Sequence, residues 1–224
     1  MFKNRIEAAG TLARQLQRFA LMPGVILAVP RGGIPIGAVI AGKTGLPLDL
    51  LMTKKIGHPQ NREYAIGAVG LADSYILPHK GVSPGYIKAE TEALRKRLAE
   101  MRRKFMGGSR PLPLKDRIVI VVDDGAATGN TLLSAIQILR REEPGRIVVA
   151  IPVASTPAAR KLRAAADELI CPLVVDDFAG VGDYYEDFQQ VSDEEALHYL
   201  RQLRTSPGAP IDNQPNHRAN HAHR

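Results

Sequence analysis

The chain has 224 residues, 45% of them hydrophobic and 5% aromatic with no Trp, so it can build an aliphatic-packed α/β domain with or without a small subdomain. No segment approaches the roughly 18 uninterrupted apolar residues of a membrane span, and the first residues lack the apolar centre of a secretory leader, so neither is expected. The formal net charge of +7 suits a polyanionic small molecule as well as it suits nucleic acid.

In chain order, Asn4 to Phe19 reads as an amphipathic helix through Ile6, Ala9, Leu12, Leu16 and Phe19. Val25 to Val29 is a short buried strand that runs into Pro30-Arg-Gly-Gly33 and an apolar helix ending near Gly45. Leu48 to Thr53 is a second strand. Lys54 to Gly85 reads as irregular, with short strands at Ala65–Val69 and Tyr75–Leu77. A long helix covers Pro84 to Phe105. Its apolar stripe is Leu94, Leu98, Met101 and Phe105, which assigns Arg95-Lys-Arg97 and Arg102-Arg-Lys104 to a solvated face rather than to nucleic acid. Arg117 to Val122 is a β-branched strand, Asn130 to Arg141 a helix, and Arg146 to Val153 another strand. Ser155-Thr-Pro157 opens a helix, and Glu168 to Cys171 forms a last short strand. The lone Cys171 forms no internal disulfide; it reads as a buried, inert thiol, which suits the reducing cytoplasm. Ser192, with Glu195 three residues on, has the form of a capping box for a helix ending near Leu203. Residues 205–224 are rich in Pro, Asn and His and read as a disordered tail, which holds His217, His221 and His223. Strands alternating with helices imply a central parallel sheet flanked by helices, with ligands at the carboxyl ends of its strands.

The stretch Arg117-Ile-Val-Ile-Val-Val-Asp-Asp-Gly-Ala-Ala-Thr-Gly-Asn-Thr131 carries the most chemistry. The strand ends at two adjacent carboxylates, Asp123 and Asp124. Small residues follow: Gly125, Ala126, Ala127, Thr128 and Gly129. Asn130 and Thr131 then open an apolar-periodic helix. Free N–H groups at a helix start attract an anion, and small side chains let it approach the backbone. The acids would repel that anion, so they must face another part of the ligand, such as sugar hydroxyls or hydrated Mg²⁺. A nucleotide P-loop fits less well: the glycine spacing is one residue short, and Asn130 stands where the phosphate-binding lysine is needed.

This stretch resembles the 5-phosphoribosyl-1-pyrophosphate (PRPP) motif of type I phosphoribosyltransferases, and Val121 to Thr131 matches it throughout. The resemblance implies a phosphoribosyltransferase-like α/β fold over residues 1–204, with a flap at about 54–110 and a small hood at about 172–191. It implies a transferase that moves 5-phosphoribose from PRPP to a nucleobase or related nitrogenous acceptor and releases pyrophosphate. Asp123 and Asp124 would serve the ribose and Mg²⁺, which is held through PRPP and water rather than by direct protein ligands. The loop from Ala126 to Thr131 would hold the 5-phosphate, with Gly125 also among the PRPP-binding residues. The loop of Arg31, Gly32 and Gly33 would hold pyrophosphate, Arg31 as a donor fork. Lys54 or Lys55 would also contact the diphosphate, and strand register leaves open which one.

The segment Gly57 to Val69 resembles a poorly characterised bacterial branch of the family, and the likeness runs over roughly residues 2 to 203. Its Gly and Pro residues suit a moving lid. In Asp176 to Phe188 the family places the acceptor: Phe178 is the stacking candidate, Tyr184 and Tyr185 come second, and the alternative is that all three pack the hood together. Ala127 stands where 6-oxopurine enzymes carry an Asp, which weakens hypoxanthine and guanine and leaves other acceptors open. Dimers are common in the family, so a homodimer is expected. A PRPP-sensing regulator or nucleic-acid-binding protein without catalysis is the other reading, motivated by the basic helix.

Overall fold

The computed structural model describes residues 1–77 and 81–205. The expected tail beyond Thr205, with its three histidines, lies outside the described residues. The elements are α1 (Arg5–Leu16), β1 (Gly24–Ala28), α2 (Gly33–Thr44), β2 (Leu48–Leu50), β3 (Thr53–His58), β4 (Asn61–Gly70), β5 (Ser74–Ile76), α3 (Pro84–Met106), β6 (Ile118–Val122), α4 (Asn130–Leu139), β7 (Arg146–Ala150), β8 (Val153–Ser155), α5 (Thr156–Ala165), β9 (Glu168–Ile170), β10 (Leu173–Val175) and α6 (Asp193–Thr205).

The expected parallel sheet is present, in the order β2-β1-β6-β7-β9. Register aligns Ile26, Ile120 and Val148 in one row and Val25, Val119 and Ile147 in the next. The first row packs with Leu12 and Leu16 of α1 and Ile34 and Ile40 of α2; the second packs with Leu132 and Ile136 of α4 and Leu162 of α5. Helices on both faces explain why these strands are continuous hydrophobic runs rather than alternating ones. The ends of the central strands β1 and β6 are thereby left as the place where loops from both faces meet.

Several expectations need correction. Leu48 to Thr53 is not one strand: β2 stops at Leu50 and β3 starts at Thr53 in a different sheet. The region read as irregular is a three-stranded antiparallel sheet, β3-β4-β5. Its glycines looked like loop signals, but they admit neighbouring backbone. A Cβ on Gly57 would stand 2.6 Å from the Arg62 carbonyl oxygen, and one on Gly67 2.3 Å from that of Tyr75. A strand that sequence reading missed, β10, pairs in parallel with β8. Thr205 ends α6 instead of beginning the tail.

Arg102 is not on the solvated face of α3. It is buried and forks onto Asp49 of β2, Nη1 to Oδ1 at 2.7 Å and Nη2 to Oδ2 at 3.3 Å. Asp49 also accepts the N–H groups of Leu50 (2.7 Å) and Leu112 (2.9 Å), so the pair fixes α3 and the following segment to the sheet edge. Tyr86 of α3 donates to the Gly57 carbonyl (2.8 Å), tying the same helix to the antiparallel sheet.

Candidate functional site

The β6 strand delivers Asp123 and Asp124 to its carboxyl end beside the loop that leaves β1. Val29 N–H bonds to Val122 O (2.9 Å), and Gly33 N–H returns to Val29 O (2.9 Å), making a tight turn through Arg31 and Gly32. A Cβ on Gly32 would lie 2.2 Å from Asp124 Oδ2, and one on Gly33 2.6 Å from Val122 O. Only glycine lets the turn sit this close to the acidic pair.

Past the acids the chain bends into α4. Ala126 is stitched to β8 by two backbone bonds, Ala126 N–H to Val153 O and Ser155 N–H to Ala126 O, both 3.0 Å. The Ser155 hydroxyl donates to Ala127 O (2.7 Å) while its oxygen accepts the Ala158 N–H (3.1 Å), so one side chain anchors the loop and caps α5. Gly129 takes a left-handed φ of 73° immediately before α4. The N-cap residue of α4, Gly129, has no side chain to cap it, and among the described residues the Asn130 N–H has only a long contact to Thr128 Oγ1 (3.4 Å). A helix start left open in this way, behind exposed Ala127 and Thr128, presents amide donors and the positive end of the helix dipole to a ligand.

Part of this arrangement lines a cavity of about 370 Å³: Gly32, Lys54, Lys55, Asp123, Asp124 and Thr131, with Leu98 and Met101 of α3 forming an apolar wall; Arg31, Gly33 and residues 125–130 are not among its lining residues. Both lysines line it from β3. Asp123 is half-buried. Burial, and then the charge of Asp124, push its carboxyl well above the usual carboxylate range. Burial also raises Asp124, opposed by Arg5. Arg5 was not singled out from the sequence. It donates to Asp124 Oδ2 from Nε (3.0 Å) and Nη2 (2.9 Å).

Other expected site residues stand elsewhere. The Arg31 guanidinium is turned to Asp193 at the start of α6 (3.2 Å), which Lys104 also grips. A Cβ on Gly125 would meet Val181 and Val153, so this glycine serves packing. Phe178 and Tyr184 stack on each other with centroids 5.1 Å apart, and Tyr185 stacks on Phe188 at 5.0 Å. Tyr185 is buried, and its hydroxyl donates to the Asp124 carbonyl oxygen (2.7 Å). That burial pushes its phenol far up. Of the two readings of these aromatics, the arrangement matches mutual packing. Cys171 is half-buried and its thiol is pushed up to about 11 by burial, as an inert thiol requires.

The profile of the phosphoribosyl transferase domain matches residues 2–189. The chain belongs to that family. Two proteins of Mycobacterium tuberculosis, from strains H37Rv and CDC 1551, are each 34% identical to it over 205 residues. They are named "Putative phosphoribosyl transferase Rv0571c" and "Putative phosphoribosyl transferase MT0597". The match covers 89% of this phosphoribosyl transferase chain and 46% of theirs, so it spans about half their length. The crystal structure of TT1426 from Thermus thermophilus superposes with a TM-score of 0.80 at 36% identity, over 90% of this chain and 98% of that one. The α/β fold with its central parallel sheet is thus a phosphoribosyl transferase fold. No helix among the described residues is long and apolar enough to cross a membrane.

Proposed function

We propose that the protein transfers 5-phosphoribose from PRPP to a nitrogenous acceptor in the cytoplasm, with release of pyrophosphate. One observation carries this reading: a carboxylate pair, two lysines and Thr131 from the first turn of the uncapped helix α4 line one cavity at the ends of the central strands. The amides from Ala127 to Thr131 would grip the 5-phosphate, using binding energy remote from the reacting carbon to position it. Asp123 would take the ribose hydroxyls. As the C1–O bond to pyrophosphate breaks and the C1–N bond forms, the sugar gains oxocarbenium character, which the negative potential of the pair favours. Lys54 and Lys55 would stabilise the departing diphosphate, joined by Arg31 after it exchanges Asp193 for phosphate oxygens.

Mg²⁺ fits this donor set. Among the described residues the Asp123 carboxylate accepts one hydrogen bond, from Asp124 N–H (2.9 Å), and keeps hard oxygen acceptors toward the cavity. When bound, the ion supplies positive charge to the diphosphate. The antiparallel sheet β3-β4-β5 with α3 is the flap that would exclude water, and residues 172–191 are the hood. Ala127 offers no carboxylate to the acceptor, and its carbonyl already accepts from Ser155, which disfavours 6-oxopurines.

The regulator reading draws on the basic face of α3, but Arg102 is turned inward to Asp49 and Lys104 is paired with Asp193. The decisive experiment incubates the protein with PRPP, Mg²⁺ and a panel of nucleobases and scores pyrophosphate release. Release that depends on one acceptor is expected. No release with any acceptor, together with salt-sensitive RNA or DNA binding, would move the protein to the regulator class.

A further inference from the structure

Helix α1 packs on the face of the sheet opposite α4, yet its first residue reaches the acidic pair. Arg5 directs Nε and Nη2 to Asp124 Oδ2 and Nη1 to the Gln189 carbonyl oxygen (2.8 Å). Its guanidinium lies 3.9 Å from the centroid of the Phe188 ring, and Phe188 stacks on Tyr185. The Tyr185 hydroxyl in turn bonds the Asp124 carbonyl oxygen. Asp124 is therefore held at its side chain and at its backbone by one connected unit. The chain start is part of that unit: Phe2 N–H bonds to Tyr184 O (2.8 Å), and Glu186 N–H bonds to Phe2 O (2.9 Å). On the other side Gly32 leaves the space that the clamped carboxylate fills.

The two acids are thus unequal. Asp124 is charge-paired, and the described hydrogen bonds to its side chain all go to Oδ2. Asp123 lines the cavity, and among the described residues its carboxylate accepts one hydrogen bond, from Asp124 N–H. The clamp is mostly hidden from solvent, with Arg5 and Asp124 side chains 11% and 16% exposed, so screening weakens it little. We propose that Arg5 is a positioning residue of the sugar-phosphate site: by fixing Asp124 it makes Asp123 the carboxylate offered to the ribose, and it links α1 and the 184–189 loop to ligand affinity. The inference rests on the PRPP reading above.

A strut that merely joined α1 to the 184–189 loop would act whatever stood at position 124, whereas a positioning residue acts through Asp124. Calorimetric titration with PRPP and Mg²⁺ of the wild type, Arg5→Met, Asp124→Asn and the double variant separates the two. Arg5→Met should weaken PRPP about tenfold, and in the Asp124→Asn background the same change should cost less than about twofold. Arg5→Lys, which keeps the charge but loses the forked grip, should recover part of the affinity. Thermal unfolding confirms that each variant is folded; should Arg5→Met not fold, Arg5→Lys carries the same comparison, with a loss of about threefold that vanishes beside Asp124→Asn. Equal losses in both backgrounds, or no loss in either, would overturn the inference while leaving the PRPP reading intact. Failure of the wild-type protein to bind PRPP would overturn both.

Discussion

Arg102 grips Asp49 between α3 and the sheet edge; Arg5 grips Asp124 at the cavity. The residue types match, and burial separates them little, with side chains 9% and 4% exposed in the first pair and 11% and 16% in the second. They differ in how the carboxylate is used. Both Asp49 oxygens are taken, each by one Arg102 nitrogen and one backbone N–H. Of the three Arg5 nitrogens engaged, Nε and Nη2 converge on a single Asp124 oxygen while Nη1 goes to the Gln189 carbonyl. A carboxylate satisfied on both oxygens acts as a rivet. One gripped on a single oxygen is oriented without being closed off, and it sets the charge beside its neighbouring acid.

The largest expected effect tests the rivet. Asp49→Ala leaves the buried Arg102 charge without its partner and should cost about 3–5 kcal/mol, seen as a fall in Tm of about 10 °C or more. A drop of only a degree or two would mean that the two pairs do not differ as described. Next, Asp123→Asn should cut PRPP-dependent pyrophosphate release about 100-fold, or about 2.7 kcal/mol, while raising Tm at neutral pH. The sign follows from linkage. Burial and Asp124 raise the Asp123 carboxyl above its unfolded value, so the folded state holds that proton more tightly. Stability then falls as pH climbs from about 4 through the raised folded pKa. Asn has no proton to lose, so a plot of Tm against pH should be flatter for the variant.

Gly32→Ala probes the packing that admits the clamp. Its methyl would overlap Asp124 Oδ2, and about a tenfold loss of PRPP affinity is expected from calorimetry, within the usual 1–3 kcal/mol of overpacking. The smallest effect belongs to Ser155→Ala, which removes the α5 cap and the bond to Ala127 O. It should lower Tm by about 2–4 °C and loosen PRPP a few-fold.

What could be read in the sequence was what is contiguous. Strand, acids, small-residue loop and helix lie within residues 117 to 131, so local propensity and spacing brought out Asp123, Asp124 and Thr131, which line the cavity. The antiparallel sheet was hidden because Gly57 and Gly67, chosen for close backbone approach, look like loop residues. Arg102 stands on the buried stripe with Leu94, Leu98 and Phe105; period pointed inward, and only its residue type pointed out. Arg5 and Asp193 had no local signal, since their partners Asp124 and Arg31 are 119 and 162 residues away. Ser155 was legible as a helix start but not as the anchor of the loop beside it, because that bond joins two elements 28 residues apart.

Chain direction gives the Arg5 grip a consequence in time. During synthesis the guanidinium emerges first; Asp124 follows 119 residues later and Gln189 184 residues later. Contacts so far apart form late, because the intervening polypeptide must be ordered before they close. A nascent molecule can therefore bring β1 and α2 together while its second acid is still unrestrained, and the cavity takes its final shape only when the far end of the fold has closed.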